Sequence, residues 1–161
     1  MPPTVKLLGV SILALTVTAT ASLAQTFEKK NYNYSDWTKG RFSEAVTVTG
    51  PAKMIFLAGV GAENENGKPG DILHKGDFTA QCKYAFEKIK RVLEKNGASL
   101  GDVVKMVSYI TDVRYQPDFG KCRQEVFGAT PMPAHTLLTI SQLAWPGMMV
   151  EVDVTAMVPL K

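Results

Sequence analysis

Residues 149–158 read Met-Val-Glu-Val-Asp-Val-Thr-Ala-Met-Val, and this stretch decides the fold. Valine or alanine occupies every second position, and the positions between include Glu151, Asp153 and Thr155. Apolar residues with a period of two, many of them β-branched, are typical of a strand that buries one face. The stretch is therefore predicted to be a half-buried β-strand whose other face is polar.

A second run with strand character, Pro133–Ile140, lies just before it. The segment Gln142–Gly147 between them carries Trp-Pro-Gly, a turn signal, so the two runs are expected to pair antiparallel. That pairing would place His135 and Glu151 in one neighbourhood. We expect the chemistry of the chain there.

The upstream sequence supplies the other layer. A helix is predicted between a capping Asp77 and Asn96-Gly97, and a second one between Pro117 and Gly128. The apolar run Val103–Ile110 between them reads as a covered strand. Two right-handed strand–helix–strand crossovers put both helices on one sheet face. The expected fold is an α+β two-layer sandwich with a mixed sheet.

Two predictions concern the N-terminal part of the mature chain. Residues 25–39 are polar and aromatic without a clear period, so they are expected to form an irregular arm. Ala45–Thr49 and Met54–Gly59 are short apolar runs separated by Gly50-Pro51, which is a hairpin signal.

The first 24 residues are predicted to be a secretory signal peptide. Lys6 precedes the apolar run Leu7–Ala21, and Ser-Leu-Ala follows, so cleavage is expected after Ala24. A membrane anchor is the alternative, but the run is short and interrupted by threonines. Residues 25–161 then form a single domain, periplasmic or secreted, with no membrane segment.

Composition excludes some partners. The 161 residues are 45% hydrophobic and 20% charged, as in ordinary globular domains. The formal charge of +3 falls to +2 when residues 1–24, which contain Lys6 and no acidic residue, are removed. No cluster of Lys and Arg is interleaved with aromatic residues, so nucleic acid is not an expected partner.

The sheet face away from the helices is expected to meet another chain. The polar residues expected on this face are Glu151, Asp153, Thr155 and either His135 or Thr139. The apolar residues that flank them are Leu137, Trp145, Met148 and Met149. Such a face is too polar for a core and too apolar nearby for open water, which indicates burial against a partner chain.

The two cysteines, Cys82 and Cys122, each fall on the apolar stripe of a predicted helix. Two small buried thiols are the ordinary interpretation. The alternative is a disulfide, which an even cysteine count in an exported chain favours. Parallel helices would also place both residues at similar heights.

Four motifs make the chain similar to the reactive-intermediate deaminase (RidA, or YjgF) family: residues 98–105, 109–113, 133–136 and 150–152. The resemblance covers about residues 40–158. It implies a chorismate-mutase-like fold and a homotrimer with three small-molecule clefts between subunits. It also implies hydrolysis of enamines or imines to a keto acid and ammonia, without a metal or cofactor.

Carried over by position, the resemblance assigns the water-orienting glutamate to Glu151, the catalytic candidate. The family's Pro-Ala-Arg-Ser reads Pro-Ala-His135-Thr136 here, so His135 replaces the arginine that grips a substrate carboxylate. Leu137 replaces a cysteine. The remaining substrate-binding candidates are Phe42, which replaces a tyrosine, and Gly59 and Val60, of which only the glycine is retained; Gly120 stands where the family has an asparagine.

These replacements leave the function open. A histidine with a pKa near ~6.5 is mostly neutral at pH 7 and lacks the arginine fork, so a weak carboxylate grip is expected. His135 is either a ligand contact or a buried, hydrogen-bonded side chain, and Glu151 is either catalytic or simply solvent-facing. A metal site of His135, Glu151 and Asp153 has no diagnostic spacing. Two functions are expected from the sequence. The first is hydrolytic deamination of an altered substrate, such as one without a carboxylate, and the alternative is a non-catalytic small-molecule-binding or stress-response trimer.

Overall fold

The structure is a computed structural model that describes residues 25–160. The predicted signal peptide lies outside the described residues. Within them, no helix is long and apolar enough to cross a membrane. The described elements are β1 (Glu28–Tyr32), β2 (Ala45–Thr49), β3 (Ala52–Phe56), α1 (Phe78–Lys95), β4 (Val103–Ile110), α2 (Gln116–Phe127), β5 (Ala134–Thr139) and β6 (Val150–Pro159).

The main sheet has the strand order β3-β6-β4-β5. Strand β6 is antiparallel to both of its neighbours, and β4 is parallel to β5. The sheet is therefore mixed, and the links through α1 and α2 each join parallel strands. In β6 the apolar positions face the helices and are almost fully buried: Val150, Val152, Val154 and Ala156.

The predicted antiparallel pairing of the last two runs is wrong. In the main sheet, β5 is the edge strand beside β4, and β6 lies between β3 and β4. Two physical reasons account for this. The connection, residues 140–149, is longer than a hairpin loop, which usually has two to five residues. The most regularly apolar strand also gains most from a central position, whereas β5, with Thr136, Leu138 and Thr139 exposed, suits an edge.

The predicted helices are confirmed. The Asp77 carboxylate accepts a hydrogen bond from the Ala80 amide at 2.9 Å, which caps α1. Both helices lie on the same face of the main sheet, and they bury an apolar stripe against it. On α1 this stripe consists of Phe78, Cys82, Ala85, Phe86, Ile89 and Leu93. The predicted α+β two-layer sandwich with a mixed sheet is confirmed.

The ordinary interpretation, two buried free thiols, is wrong. Cys82 and Cys122 form a disulfide, and their Cα atoms lie 6.5 Å apart. The bond joins α1 to α2 across their contact. The cysteines face each other because each occupies the stripe side of its helix, and because the two helices lie at matching heights on the sheet.

The N-terminal predictions need two corrections. Part of the expected irregular arm is strand β1, which pairs antiparallel with β2 in a small second sheet. The expected hairpin does not form, since β3 pairs with β6 rather than with β2. Gly50 turns the chain between the two sheets with a φ of +84°, and a Cβ there would overlap the backbone of Thr26.

Candidate functional site

A cavity of about 460 Å³ opens beside β5 and α2, on the helix side of the sheet. Aromatic and apolar side chains form much of its wall, together with two arginines and two glutamine amides. The lining residues are Trp37, Arg41, Phe42, Gln116, Pro117, Phe119, Gly120, Arg123, Gln124, His135 and Leu137. Three of the predicted binding residues, His135, Phe42 and Leu137, therefore share one cavity, and Gly120 joins them.

His135 enters the cavity because of its register in the sheet. It lies opposite Met106 on β4, whose side chain is buried under the helices. Its Nδ1 is 3.1 Å from an Nη atom of Arg123, and its Nε2 is 3.1 Å from the hydroxyl of buried Ser108. A guanidinium can only donate, so Nδ1 accepts and Nε2 carries the proton that Ser108 accepts.

This histidine is neutral at physiological pH. Burial, followed by the positive charges of Arg123 and Lys105, lowers the pKa of His135 to about 3. The predicted neutrality therefore has a second cause, the neighbouring arginine.

Arg123 is the residue that the sequence analysis missed. Only 9% of it is exposed, and its Nε has no hydrogen-bond partner among the described residues. Its guanidinium lies over the ring of Phe119, 5.4 Å from the centroid. Burial lowers the pKa of Arg123 to about 10, so the group remains a cation at neutral pH. Its spacing in the sequence could have indicated that Arg123 is buried, since Phe119, Arg123 and Phe127 are four residues apart and share one helix face.

Aromatic rings shape the outer wall of the cavity. The ring of Phe42 is 6.5 Å from that of His135, and Trp37 packs edge-on against Phe42 at 5.3 Å. Trp37 and Phe42, both from the segment between β1 and β2, thereby form part of the cavity wall. Thr136 is not part of it, because the next residue along a strand points to the other face. Its hydroxyl accepts a hydrogen bond from Lys105 at 2.7 Å.

Glu151 lies on the open face of the sheet, half-buried among other acids. Burial, together with the negative charges of Glu63 and Asp153, raises the pKa of Glu151 above its ordinary value. Asp153 in turn accepts a hydrogen bond from the Tyr109 hydroxyl at 3.4 Å. A carboxylate with a raised pKa is a stronger base than an ordinary one, which suits proton transfer.

Gly59 and Val60 run beside β6 and border Glu151. Val60 exchanges two backbone hydrogen bonds with Val152, at 3.0 and 3.1 Å. A Cβ at the neighbouring Gly59 would overlap a carboxylate oxygen of Glu151 and lie 3.0 Å from one of Asp153. The glycine therefore lets the Glu151 carboxylate lie directly against the backbone, and a side chain at position 59 would displace that carboxylate.

The expected meeting of His135 and Glu151 does not occur within one chain. Strand β4 separates them, and their side chains lie on opposite faces of the sheet, His135 toward the helices and Glu151 away from them. The two residues and Asp153 therefore share no ligand position. More generally, residues 25–160 contain no group of three or more His, Cys, Asp or Glu side chains placed to hold a metal ion.

The amino-acid sequence is similar to a family model and to several RutC family proteins. A family model described as endoribonuclease L-PSP matches residues 33–158. A RutC family protein of Pyrococcus abyssi is 37% identical over 108 residues, which cover 65% of this chain and 76% of that protein. The 3-aminoacrylate deaminase RutC of Acinetobacter baylyi is 29% identical over 82 residues, covering 51% and 63%.

Solved structures with a similar fold include a Rid family protein. The crystal structure of YyfB, a Rid family protein of unknown function from Yersinia pestis, matches with a TM-score of 0.65. The match covers 84% of this chain and all of that one, at 24% identity. This likeness concerns the fold, which is the chorismate-mutase-like arrangement of a mixed sheet with two helices.

Proposed function

Because this chain belongs to the RidA/YjgF family, we propose that it hydrolyses small enamines or imines to a carbonyl compound and ammonia. The observation that carries the proposal is Glu151, a half-buried carboxylate with a raised pKa in the position of the family's water-orienting glutamate. One relative is named a deaminase of 3-aminoacrylate, which is itself an enamine.

The chemistry needs only a base, a water molecule and a held substrate. An enamine substrate first takes up a proton on carbon, which makes it an iminium ion. Glu151 accepts a proton from water as the oxygen attacks the iminium carbon, which gives a neutral carbinolamine. Glu151 then returns this proton to the nitrogen, the C–N bond breaks, and the hydroxyl proton passes to Glu151, so that ammonia and a carbonyl compound are formed. General base catalysis of this kind contributes about 10²–10⁴-fold.

The assembly in this proposal is a homotrimer with a cleft between subunits. Its support is the separation of the two candidate groups: within one chain, the cavity of His135 and the carboxylate of Glu151 face opposite ways. A neighbouring copy placed against the open face would bring its own cavity to Glu151. The open face also exposes apolar side chains, with Phe56 70%, Met54 50% and Leu138 43% exposed.

We expect light scattering of the chain without residues 1–24 to give three times the chain mass at micromolar concentration. Phe56→Glu should shift the protein toward the monomer, because it places a charge in the proposed interface. Val113→Glu, a substitution at an exposed apolar site near the start of α2, is the matched control and should leave the mass unchanged. A wild-type mass equal to that of one chain would contradict the proposed trimer and its cleft between subunits.

Turnover is tested with 2-aminoacrylate formed in a short pulse by a pyridoxal-phosphate-dependent dehydratase acting on serine. We expect the protein to accelerate the decay of the enamine absorbance about 10²-fold or more, which is the lower end of the range for a single general base. The reaction without protein gives the spontaneous rate. A decay equal to that rate for 2-aminoacrylate and for 3-aminoacrylate would contradict deaminase activity.

A non-catalytic small-molecule-binding trimer is the second candidate. It is favoured by the neutral histidine at position 135, which cannot provide the charged grip that the family places there. Binding of a small molecule without any acceleration of enamine decay is the outcome expected for this candidate.

A further inference from the structure

The cavity beside His135 is built for an anion. Two of its lining residues, Arg41 and Arg123, are cationic, and Gln116 and Gln124 add amide donors. Among residues 25–160, no Asp or Glu lines it. The aromatic and proline surfaces around these donors fit a small, partly apolar molecule, so the matching ligand carries a negative charge on a short unsaturated or planar body.

Arg123 is a buried cation without a counter-ion. Among residues 25–160, the ion pairs involve other cations, and no Asp or Glu side chain pairs with Arg123. Its Nε–H is buried and unpaired as well. Leaving a buried charge and a buried donor unsatisfied is costly, so such a group at the wall of a cavity indicates a missing acceptor.

His135 sets the direction of this guanidinium. Its Nδ1 accepts one Arg123 proton, and its own Nε2 proton is held by Ser108, which fixes the ring. Phe119 supports the guanidinium plane from one side. These contacts use one of the five guanidinium donors, and the Nε–H is buried. The three remaining Nη protons have no partner among the described residues and belong to a residue that lines the cavity.

We propose that Arg123 binds the carboxylate of a small organic acid in this cavity, and that His135 acts as its positioning residue. The charge that position 135 lacks is thus supplied from helix α2. For the proposed deaminase this means that the substrate class includes enamines that carry a carboxylate. That last step rests on the proposed function, whereas the binding of the carboxylate does not.

Calorimetric titration with pyruvate, and with its uncharged analogue pyruvamide, tests the binding step. We expect wild type to bind pyruvate and to bind pyruvamide about tenfold or more weakly, because charge-assisted hydrogen bonds exceed neutral ones. Arg123→Gln should weaken pyruvate binding by a similar factor and remove the preference over pyruvamide. Arg123→Met keeps an apolar stem against Phe119 and should show the same loss of pyruvate binding. It serves as the second variant in case Arg123→Gln does not fold.

Arg114→Gln is the matched control, since Arg114 is exposed and pairs with Asp112 outside the cavity. It should leave pyruvate binding unchanged. His135→Leu removes the acceptor for the Arg123 proton, whereas His135→Asn returns an oxygen near the Nδ1 position. His135→Leu should weaken pyruvate binding and His135→Asn should retain it, whereas a purely structural histidine would give no such rescue.

Three results overturn the proposal: wild type fails to bind pyruvate, pyruvate and pyruvamide bind equally, or the Arg123 variants bind pyruvate like wild type. The first would also be the outcome if a carboxylate from a neighbouring copy already paired with Arg123. Pyruvate binding without enamine turnover would leave Arg123 as a carboxylate site and contradict only the proposed deaminase.

Discussion

Replacing Cys82 and Cys122 together by alanine is expected to lower the free energy of unfolding by about 4 kcal/mol, the loop-closure value for a sequence separation of 40. The bond closes a loop that contains most of α1, all of β4 and the start of α2. Without it the unfolded chain gains freedom, while the folded chain keeps its packing apart from two sulfur atoms.

Urea unfolding of the oxidised wild type and of the double alanine variant measures this difference. A thiol-reducing agent should destabilise wild type by a similar amount and leave the double variant unaffected. Thiol titration of the denatured, oxidatively expressed wild type should find no free thiol. Two free thiols per chain, or equal unfolding midpoints, would contradict the bridge or its contribution.

Changing Glu151 to glutamine is expected to lower kcat/KM for enamine hydrolysis by about 10²–10⁴-fold, the usual contribution of a general base. Glutamine keeps the shape and the hydrogen-bonding oxygen of the side chain, so the loss would report on the proton. The wild-type rate should fall as the pH drops through a Glu151 pKa that lies above its ordinary value, because the base must be ionised and burial raises its pKa. With the pKa of His135 at about 3, no step from His135 is expected between pH 5 and 8.

The matched control is Asp153→Asn, which removes the neighbouring carboxylate on the same face of β6. Losing this negative charge should lower the pKa of Glu151 and move the acid limb of the profile to lower pH. The plateau rate should stay within about tenfold of wild type, since Asp153 has no part in the proton transfer. Unchanged turnover in Glu151→Gln would remove Glu151 from the mechanism.

The elements of the fold could be predicted because their signals are local. The period-two pattern of β6 and the capped apolar stripe of α1 each lie within one segment of the chain. Strand order could not be predicted in the same way, since β6 alternates identically at an edge and at the centre. The length of the connection at residues 140–149 was the available indication that β5 and β6 do not form a hairpin.

The sequence pointed to individual candidate residues but not to their arrangement, and their roles stay predictions. His135, Phe42 and Leu137 meet in one cavity, while Glu151 and Gly59 meet on the other side of the sheet. Deciding which face each residue joins requires the register of β4 with β5 and β6, and no local pattern contains that register. Arg123 was missed because a charged residue on a helix is usually taken to be exposed.

The central position of β6 also affects how the sheet can fold. Strands β3 and β4 are both joined to β6 and not to each other, so these three strands form no continuous ladder until β6 has paired. Among the described strands, β6 comes last along the chain, and it pairs with β3, which lies before both helices. Completing the sheet therefore requires contacts between residues far apart in the sequence, and such contacts are expected to make folding slower than in a helical domain of similar size.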